Sequence, residues 1–477
     1  MRPQFAAVVD SATARPGIEE RLAALVRIPT VSAEQDVTGS RPFEDLIGLL
    51  AELYPLVHEH LACERIGELG LVYSWGGPPS AEPGVVSTSS TSGSPESSAE
   101  PGVDAVVLMA HYDVVPVTGQ EAEWTVPPFE GRVADGYVWG RGALDDKGAL
   151  CVLLEAVENL LAEGWTPPRP VLLCFGPDEE VHGATARLIA RTLKDRGVRP
   201  WLVLDEGGAI TEVPFPGVNG AFAMVGLAEK GVMTVELSAA GTGGHASAPT
   251  GLTAVGRIAR AVARLNRNPF DVRMPRTVTS LLAALARHAE PRYQRLWRLA
   301  ARNPRLAARL LVVGGGADGA ALVRTSLAPT MIAGGSSPNV LPSRATAMLN
   351  IRVNVGETTA GVTARLQRVI ADPQVTVRLV EGDEPTPESS SDNAQWALLA
   401  AAVEAGYPGV AAIPYLTTAA TDGRHWHRFA PQVYRFMPLY VSMADRAGIH
   451  GRDERVAVDS LVRGERVYRA LLQGLPR

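Results

Sequence analysis

The chain has 477 residues, 46% of them hydrophobic, enough for a substantial core; at roughly 100–200 residues per domain it is expected to form two or three domains. Its 45 basic and 51 acidic residues leave a net charge of −6 with no evident block of one sign, which argues against a nucleic-acid stripe or an acidic tail. No run approaches the roughly 20 apolar residues of a membrane span, and no basic stretch precedes an apolar one at the N-terminus, so a cytoplasmic protein with no membrane or nucleic-acid partner is expected.

A helical pattern over Ile18 to Val26 stops at Ile28-Pro29-Thr30, and Leu71–Trp75 is strand-like. The stretch from Pro78 to Asp104 is rich in Ser, Thr, Gly and Pro and carries AEPGV twice, at Ala81 and Ala99. It offers too little apolar surface to offset its ordering entropy, so residues 79–103 read as a flexible insertion between neighbouring strands. Strand and helix then alternate: Ala105–Ala110, a helix through Leu150 to Leu161, Val171–Phe175, a helix over Ala184–Lys194, and Trp201–Leu204. This predicts an α/β fold with a mostly parallel central sheet and helices on both faces. Cys151 and Cys174 sit in apolar runs and read, with Cys63, as unpaired thiols.

From about Gly231 the pattern changes. Val232–Leu237 alternates like a half-exposed strand, and an Arg- and Ala-rich helical region follows to about Arg309. Strands near Ala345–Val353 and Val375–Val380 flank a helix over Thr358–Ile370, and the chain closes with a helix over Asp459–Leu472. The expected division is a catalytic domain from 1–230 and 383–477, with an inserted α+β domain over 231–382.

In an open α/β sheet, ligands gather at the carboxyl ends of strands. Here AVVLMA is followed by His111-Tyr112-Asp113, VLLCF by Gly176-Pro177-Asp178-Glu179-Glu180, and WLVL by Asp205-Glu206-Gly207-Gly208. A Gly-rich turn, Gly140-Arg141-Gly142-Ala143-Leu144-Asp145-Asp146-Lys147, opens a helix, and Gly448-Ile449-His450-Gly451 stands far downstream. His111 and His450 offer imidazole nitrogens, while Asp145, Glu180 and Asp205 offer carboxylates. This mixed set suits Zn(II), with Mn or Co as substitutes. Asp113 is placed to orient the His111 imidazole, and Glu179 is free to act as a general base. Singly, each has a plain reading as a structural histidine or a solvated acid; together, at successive strand ends, they make a site.

These motifs resemble the dinuclear zinc family of acetylornithine deacetylase, succinyl-diaminopimelate desuccinylase, aminoacylase and carboxypeptidase S. The resemblance runs from Ile28-Pro29-Thr30 to the last helix, and Leu204-Asp205-Glu206-Gly207-Gly208 is most similar to the carboxypeptidase S branch. It implies a metal-dependent hydrolase of amide bonds in small peptides or N-acyl amino acids, with two Zn(II) per subunit. Asp145 would bridge the ions, with His111 and Asp205 on one and Glu180 and His450 on the other. It further implies a lid domain that supplies His245, within Gly244-His245-Ala246-Ser247, as a catalytic donor, and a homodimer formed through that lid. Asn339, Arg352 and Arg424 match its substrate-contacting positions.

Asp453 stands where Asn is expected, adding a negative charge near the site, and Ala246 replaces a common Ser. The alternatives are a biosynthetic deacylase of one metabolite and a metal-binding, non-enzymatic regulator. His425 and His427, which flank Trp426, read as packing or pocket lining rather than as metal ligands.

Overall fold

The unbroken apolar run at Ala105–Ala110 reflects a strand buried on both faces. In the computed structural model, which describes residues 14–76, 103–117, 119, 121–213, 215–249 and 251–477, this strand is Val103–His111. Its alternate side chains enter two cores: Val106, Leu108 and Ala110 on one side, Ala105, Val107 and Met109 on the other. The first core takes in the helices Ile18–Val26, Lys147–Ala162 and Val458–Gln473, and the second takes in Ala184–Asp195.

The chain divides into two compact units. The first comprises 1–227, 389–413 and 421–477. Its sheet runs in the order Ala62–Ile66, Gly70–Trp75, Val171–Gly176, Val103–His111, Val198–Asp205, Val433–Arg435, Ala221–Glu229, and Ile210–Glu212 pairs beside Ala221–Glu229. Val171–Gly176, Val103–His111, Val198–Asp205 and Val433–Arg435 pair in parallel, and the strands flanking this block join it antiparallel. This is an α/β fold with a mostly parallel centre and helices on both faces. Gly70–Trp75 and Val103–His111 are not neighbours, because Val171–Gly176 lies between them. The expected placement of the insertion between adjacent strands is therefore wrong, and its expected flexibility concerns residues outside those described.

The helix Lys147–Ala162 is buried on every side as far as Leu160. Its polar groups are satisfied from neighbouring elements: Glu155 takes Arg15 and Arg21, Glu158 accepts from the Leu56 and Val57 amides, and Asn159 donates to Glu465. With its flanks fixed, the helix holds its N-terminal turn, Gly140 to Asp146, in one position.

The second unit comprises 228–388 and 414–420. It holds a four-stranded antiparallel sheet in the order Ser326–Gly334, Arg344–Val353, Gly231–Ala240, Val375–Asp383. Met233, Val235, Leu237 and Ala239 alternate into a core closed by helices Ala254–Arg267 and Thr359–Ile370. Thr253 and Thr358 cap those helices by accepting from the Gly256 and Gly361 amides. The helices Arg276–His288, Pro291–Arg302, Pro304–Gly314 and Gly316–Ala321 complete the unit. Among the described residues, no helix is long and apolar enough to cross a membrane.

Candidate active site

His111 ends its strand and is buried. The two residues that follow are fixed by the Ile28-Pro29-Thr30 turn: Thr30 Oγ1 donates to the Tyr112 carbonyl at 2.5 Å, and the Val114 amide donates to the Thr30 carbonyl. Asp113 then sits beneath the site. Its Oδ1 lies 3.2 Å from His111 Nδ1 and accepts from the Glu179 amide, and its Oδ2 accepts from the Glu180 amide, both at 3.1 Å. One carboxylate thus orients the imidazole and fixes the acidic turn Glu179–Val181 that follows Val171–Gly176.

The Gly-rich turn brings Asp145 opposite. Gly140 and Gly142 both have positive φ. A Cβ on Gly140 would lie 2.4 Å from Val26 Cγ1, and one on Gly142 would lie 2.7 Å from Val114 Cγ1. Lys147 is buried below the turn and donates to the Leu25 and Ile28 carbonyls. Burial lowers its proton affinity, to a pKa of about 7, with Asp113 and Glu454 opposing. Glu454 ties the distant C-terminal loop to the turn. It accepts from the Leu144 and Asp145 amides at 2.8 and 3.0 Å and pairs with Arg141 Nη1 at 2.5 Å, while Arg141 Nη2 donates to the Gly451 carbonyl. This clamp, which sequence reasoning did not single out, carries His450 to the site.

The result is a carboxylate between two imidazoles. Asp145 Oδ1 lies 3.1 Å from His111 Nε2, and its Oδ2 lies 3.0 Å from His450 Nε2; Glu180 Oε1 is 3.1 Å from the same His450 nitrogen. Ligand atoms of His111, Asp145 and Glu180 lie within 4.8 Å of one another, as do those of His111, Glu179 and Glu206. Asp205 is turned away, its Oδ2 accepting the Gly423 amide at 2.5 Å. At the end of Val198–Asp205, then, it is Glu206 that joins the cluster where Asp205 was expected. Adjacent residues on an extended chain face opposite sides, so one of the pair had to point away. The Asp-Glu pair was visible in the sequence, but its facing was not.

The electrostatics fit a cation site. Burial alone would lower the proton affinity of His111, yet its bonds to Asp113 and Asp145 hold it well above the usual range. Burial would raise Asp145, but hydrogen bonds from His111 and His450 pull it below the ordinary carboxylate value. His450 is pushed up to about 10 by its bonds to Asp145 and Glu180. Glu179 and Glu206 are driven well above the carboxylate range, first by burial and then by neighbouring acids: Asp422 and Glu180 for Glu179, Asp145 and Glu179 for Glu206. Four crowded carboxylates with two imidazoles form the N/O donor set that divalent zinc, manganese or cobalt would neutralise.

The other expected residues are divided between the two units. Arg424 belongs to the first unit, where it donates to the Thr421 and His182 carbonyls. His427 is buried against Ser389 and Arg435, and His425 is buried as well. Asp453 accepts from Thr125 through both oxygens, at 2.7 and 2.9 Å, so its charge is engaged there. In the second unit His245 is exposed, with Ser247 Oγ 2.8 Å from its Nδ1, and it pairs in register with Val340, next to Asn339. Arg352 lies near the opposite end of that unit's sheet, paired with Val232, whereas Arg344 pairs with Ala240 at the His245 end. Eight residues of strand separate Arg344 from Arg352, roughly 26 Å.

The sequence profile of Peptidase family M20/M25/M40 matches residues 107–474. An N-fatty-acyl-amino acid synthase/hydrolase of Danio rerio is 33% identical over 446 residues, covering 91% of this chain and 81% of that protein. Carboxypeptidase S of Saccharomyces cerevisiae is 27% identical over 514 residues, covering 96% and 84%. Among solved structures, an M20 family metallo-carboxypeptidase from Sulfolobus solfataricus superposes with a TM-score of 0.66 at 15% identity, covering 96% of this chain and 99% of that one.

Proposed function

The chain belongs to peptidase family M20/M25/M40, and from that premise we propose how it performs metal-dependent hydrolysis of an amide bond in small peptides or N-acyl amino acids. The observation that carries the reading is the Asp145 carboxylate set between His111 and His450, with Glu179 beside them.

Family membership implies a divalent metal. In the proposed assignment there are two ions, zinc first. His111 and Glu206 would hold one ion and Glu180 and His450 the other, with the Asp145 carboxylate available to both. Such ions supply Lewis acidity toward the amide carbonyl and lower the pKa of water. Asp113 keeps its carboxylate on His111 Nδ1, which leaves Nε2 free to act as a ligand. Glu179 takes the proton of the attacking water at its carboxylate and returns it to the leaving nitrogen. Its surroundings favour the protonated form more than those of an ordinary glutamate, as a group that must both accept and donate near neutral pH requires.

His245 is the proposed donor to the developing oxyanion, and Arg352 the proposed partner of the substrate carboxylate. Their positions at opposite ends of one sheet favour a homodimer in which each substrate meets His245 of one subunit and Arg352 of the other. His245→Ala is expected to lower kcat by about 10²–10³-fold. Mixing it with Glu179→Gln should restore part of the activity, and failure to complement despite proven subunit exchange removes the dimeric arrangement. A cytoplasmic setting agrees with the three free cysteines.

The name of the Danio rerio relative makes long-chain N-acyl amino acids one substrate class to test, and carboxypeptidase S makes peptides another. Purified protein supplied with Zn, Mn or Co and screened against dipeptides and N-acyl amino acids of graded acyl length decides between them. Metal-replete protein inert on the whole panel would favour a non-enzymatic regulator.

A further inference from the structure

We propose that helices Pro291–Arg302 and Pro304–Gly314 form a docking face for an anionic lipid surface. Residues 291–314 contain six arginines (Arg292, Arg295, Arg298, Arg302, Arg305 and Arg309) and no acidic residue, in a chain whose net charge is −6. The sequence hides this concentration, because the arginines are spaced three or four apart and form no run. Winding into helices gathers them.

The same faces expose large apolar side chains. Leu296, Leu299, Leu306 and Leu310 are 44%, 51%, 44% and 48% exposed, and Val313 is 86% exposed. These four are a majority of the seven exposed leucines among the described residues, so the patch is not the ordinary scatter of surface leucines. Arg295, Leu296, Leu299 and Arg302 follow helical spacing along one side of the first helix, and Leu306, Arg309, Leu310 and Val313 along one side of the second. The side turned inward carries Trp297, Ala300, Ala307 and Ala308. Arg292 pairs with Glu290 and Arg298 bonds Gln294; among the described residues no carboxylate pairs with Arg295, Arg302, Arg305 or Arg309.

Leucines flanked by uncompensated arginines are what an interfacial helix presents to a bilayer. The leucines enter the headgroup boundary, and the arginine stems lie along them with their cations at the phosphates. Charge selects this occupant over a second copy of the chain. A two-fold contact would place the face against itself, arginines against arginines. The association is peripheral, since no helix among those described could span a membrane. It departs from the sequence-based expectation of no membrane partner.

The test is co-sedimentation of the full chain with phosphatidylcholine vesicles, with and without phosphatidylglycerol. Binding is expected only to the phosphatidylglycerol vesicles, and should be released by high salt. Each arginine near an anionic surface contributes roughly fivefold in partitioning, so Arg295→Gln/Arg302→Gln/Arg305→Gln/Arg309→Gln should lower it by two orders of magnitude or more. Leu296→Ser/Leu299→Ser/Leu306→Ser/Leu310→Ser should abolish it. The exposed arginine set serves as the second variant should the leucine set fold poorly. The proposal is overturned if the wild type stays in the supernatant with both vesicles, or if neither variant reduces binding. It is also overturned if the leucine variant halves the mass in ultracentrifugation while vesicle binding persists, which would make the face an interface between copies.

Discussion

Replacing Glu206 and Asp205 by their neutral isosteres separates two adjacent carboxylates that a sequence cannot rank. In Glu206→Gln the group facing His111 and Glu179 loses its charge. A ligand carboxylate should matter more than an outer partner, whose loss already costs about 10–100-fold in metal affinity, so one ion should be lost on dialysis. In Asp205→Asn an oxygen remains to accept the Gly423 amide, and only the charge assistance disappears. That bond should weaken from about 1.5–3 kcal/mol to about 1 kcal/mol. At roughly 2–4 °C per kcal/mol for a chain of about 150–250 residues, and less for a longer one, the thermal midpoint should fall by only a few degrees, with metal content unchanged. The assay is metal per subunit by elemental analysis after dialysis, beside the thermal midpoint of each variant. An Asp205→Asn protein that has lost an ion, next to a Glu206→Gln protein that keeps both, would refute the facing argued from the Gly423 bond.

Glu179→Gln should retain metal and lose about 10²–10⁴-fold in turnover; intact metal with a nearly unchanged rate would remove it as the base. Asp145→Ala should shed both ions, and two full equivalents after dialysis would rule out the shared ligand. Glu454→Ala strands the Arg141 cation and two amides, so a loss of about 3–5 kcal/mol in denaturant unfolding is expected, and a loss under 1 kcal/mol would show the clamp is not needed. Lys230 donates to the Ala321 and Arg324 carbonyls, and burial, aided by Arg352, lowers its pKa from 10.5 to about 8. The unfolded chain therefore holds more protons than the folded one between about pH 8 and 10.5, and this lysine makes stability rise with pH there. Lys230→Met should lose that rise; a variant whose thermal midpoint follows pH as the wild type does would refute the shift.

Local chemistry and periodicity made much of this protein legible. Runs such as AVVLMA and VLLCF are apolar at every position because both faces of their strands are covered, and period alone marks them as central. Metal-ligating residue types after such runs follow from the open carboxyl end of a parallel sheet, which marks His111, Glu179 and Glu180. Asp145, in a Gly-rich turn, and His450, far downstream, are named by residue type and by the family resemblance, and the structure brings all five together. Short or edge strands such as Val433–Arg435 and Ala62–Ile66 carry too little pattern to announce themselves. Tertiary structure alone decided the rest, because each remaining question concerned direction or long-range pairing. The choice between Asp205 and Glu206 depends on which way a strand end turns. The clamp of Glu454 on Arg141 joins residues 313 apart in sequence, and no local signal predicts it. The arginines of residues 291–314 look dispersed along the chain and gather on the exposed sides of two helices only when 3.6 residues make a turn.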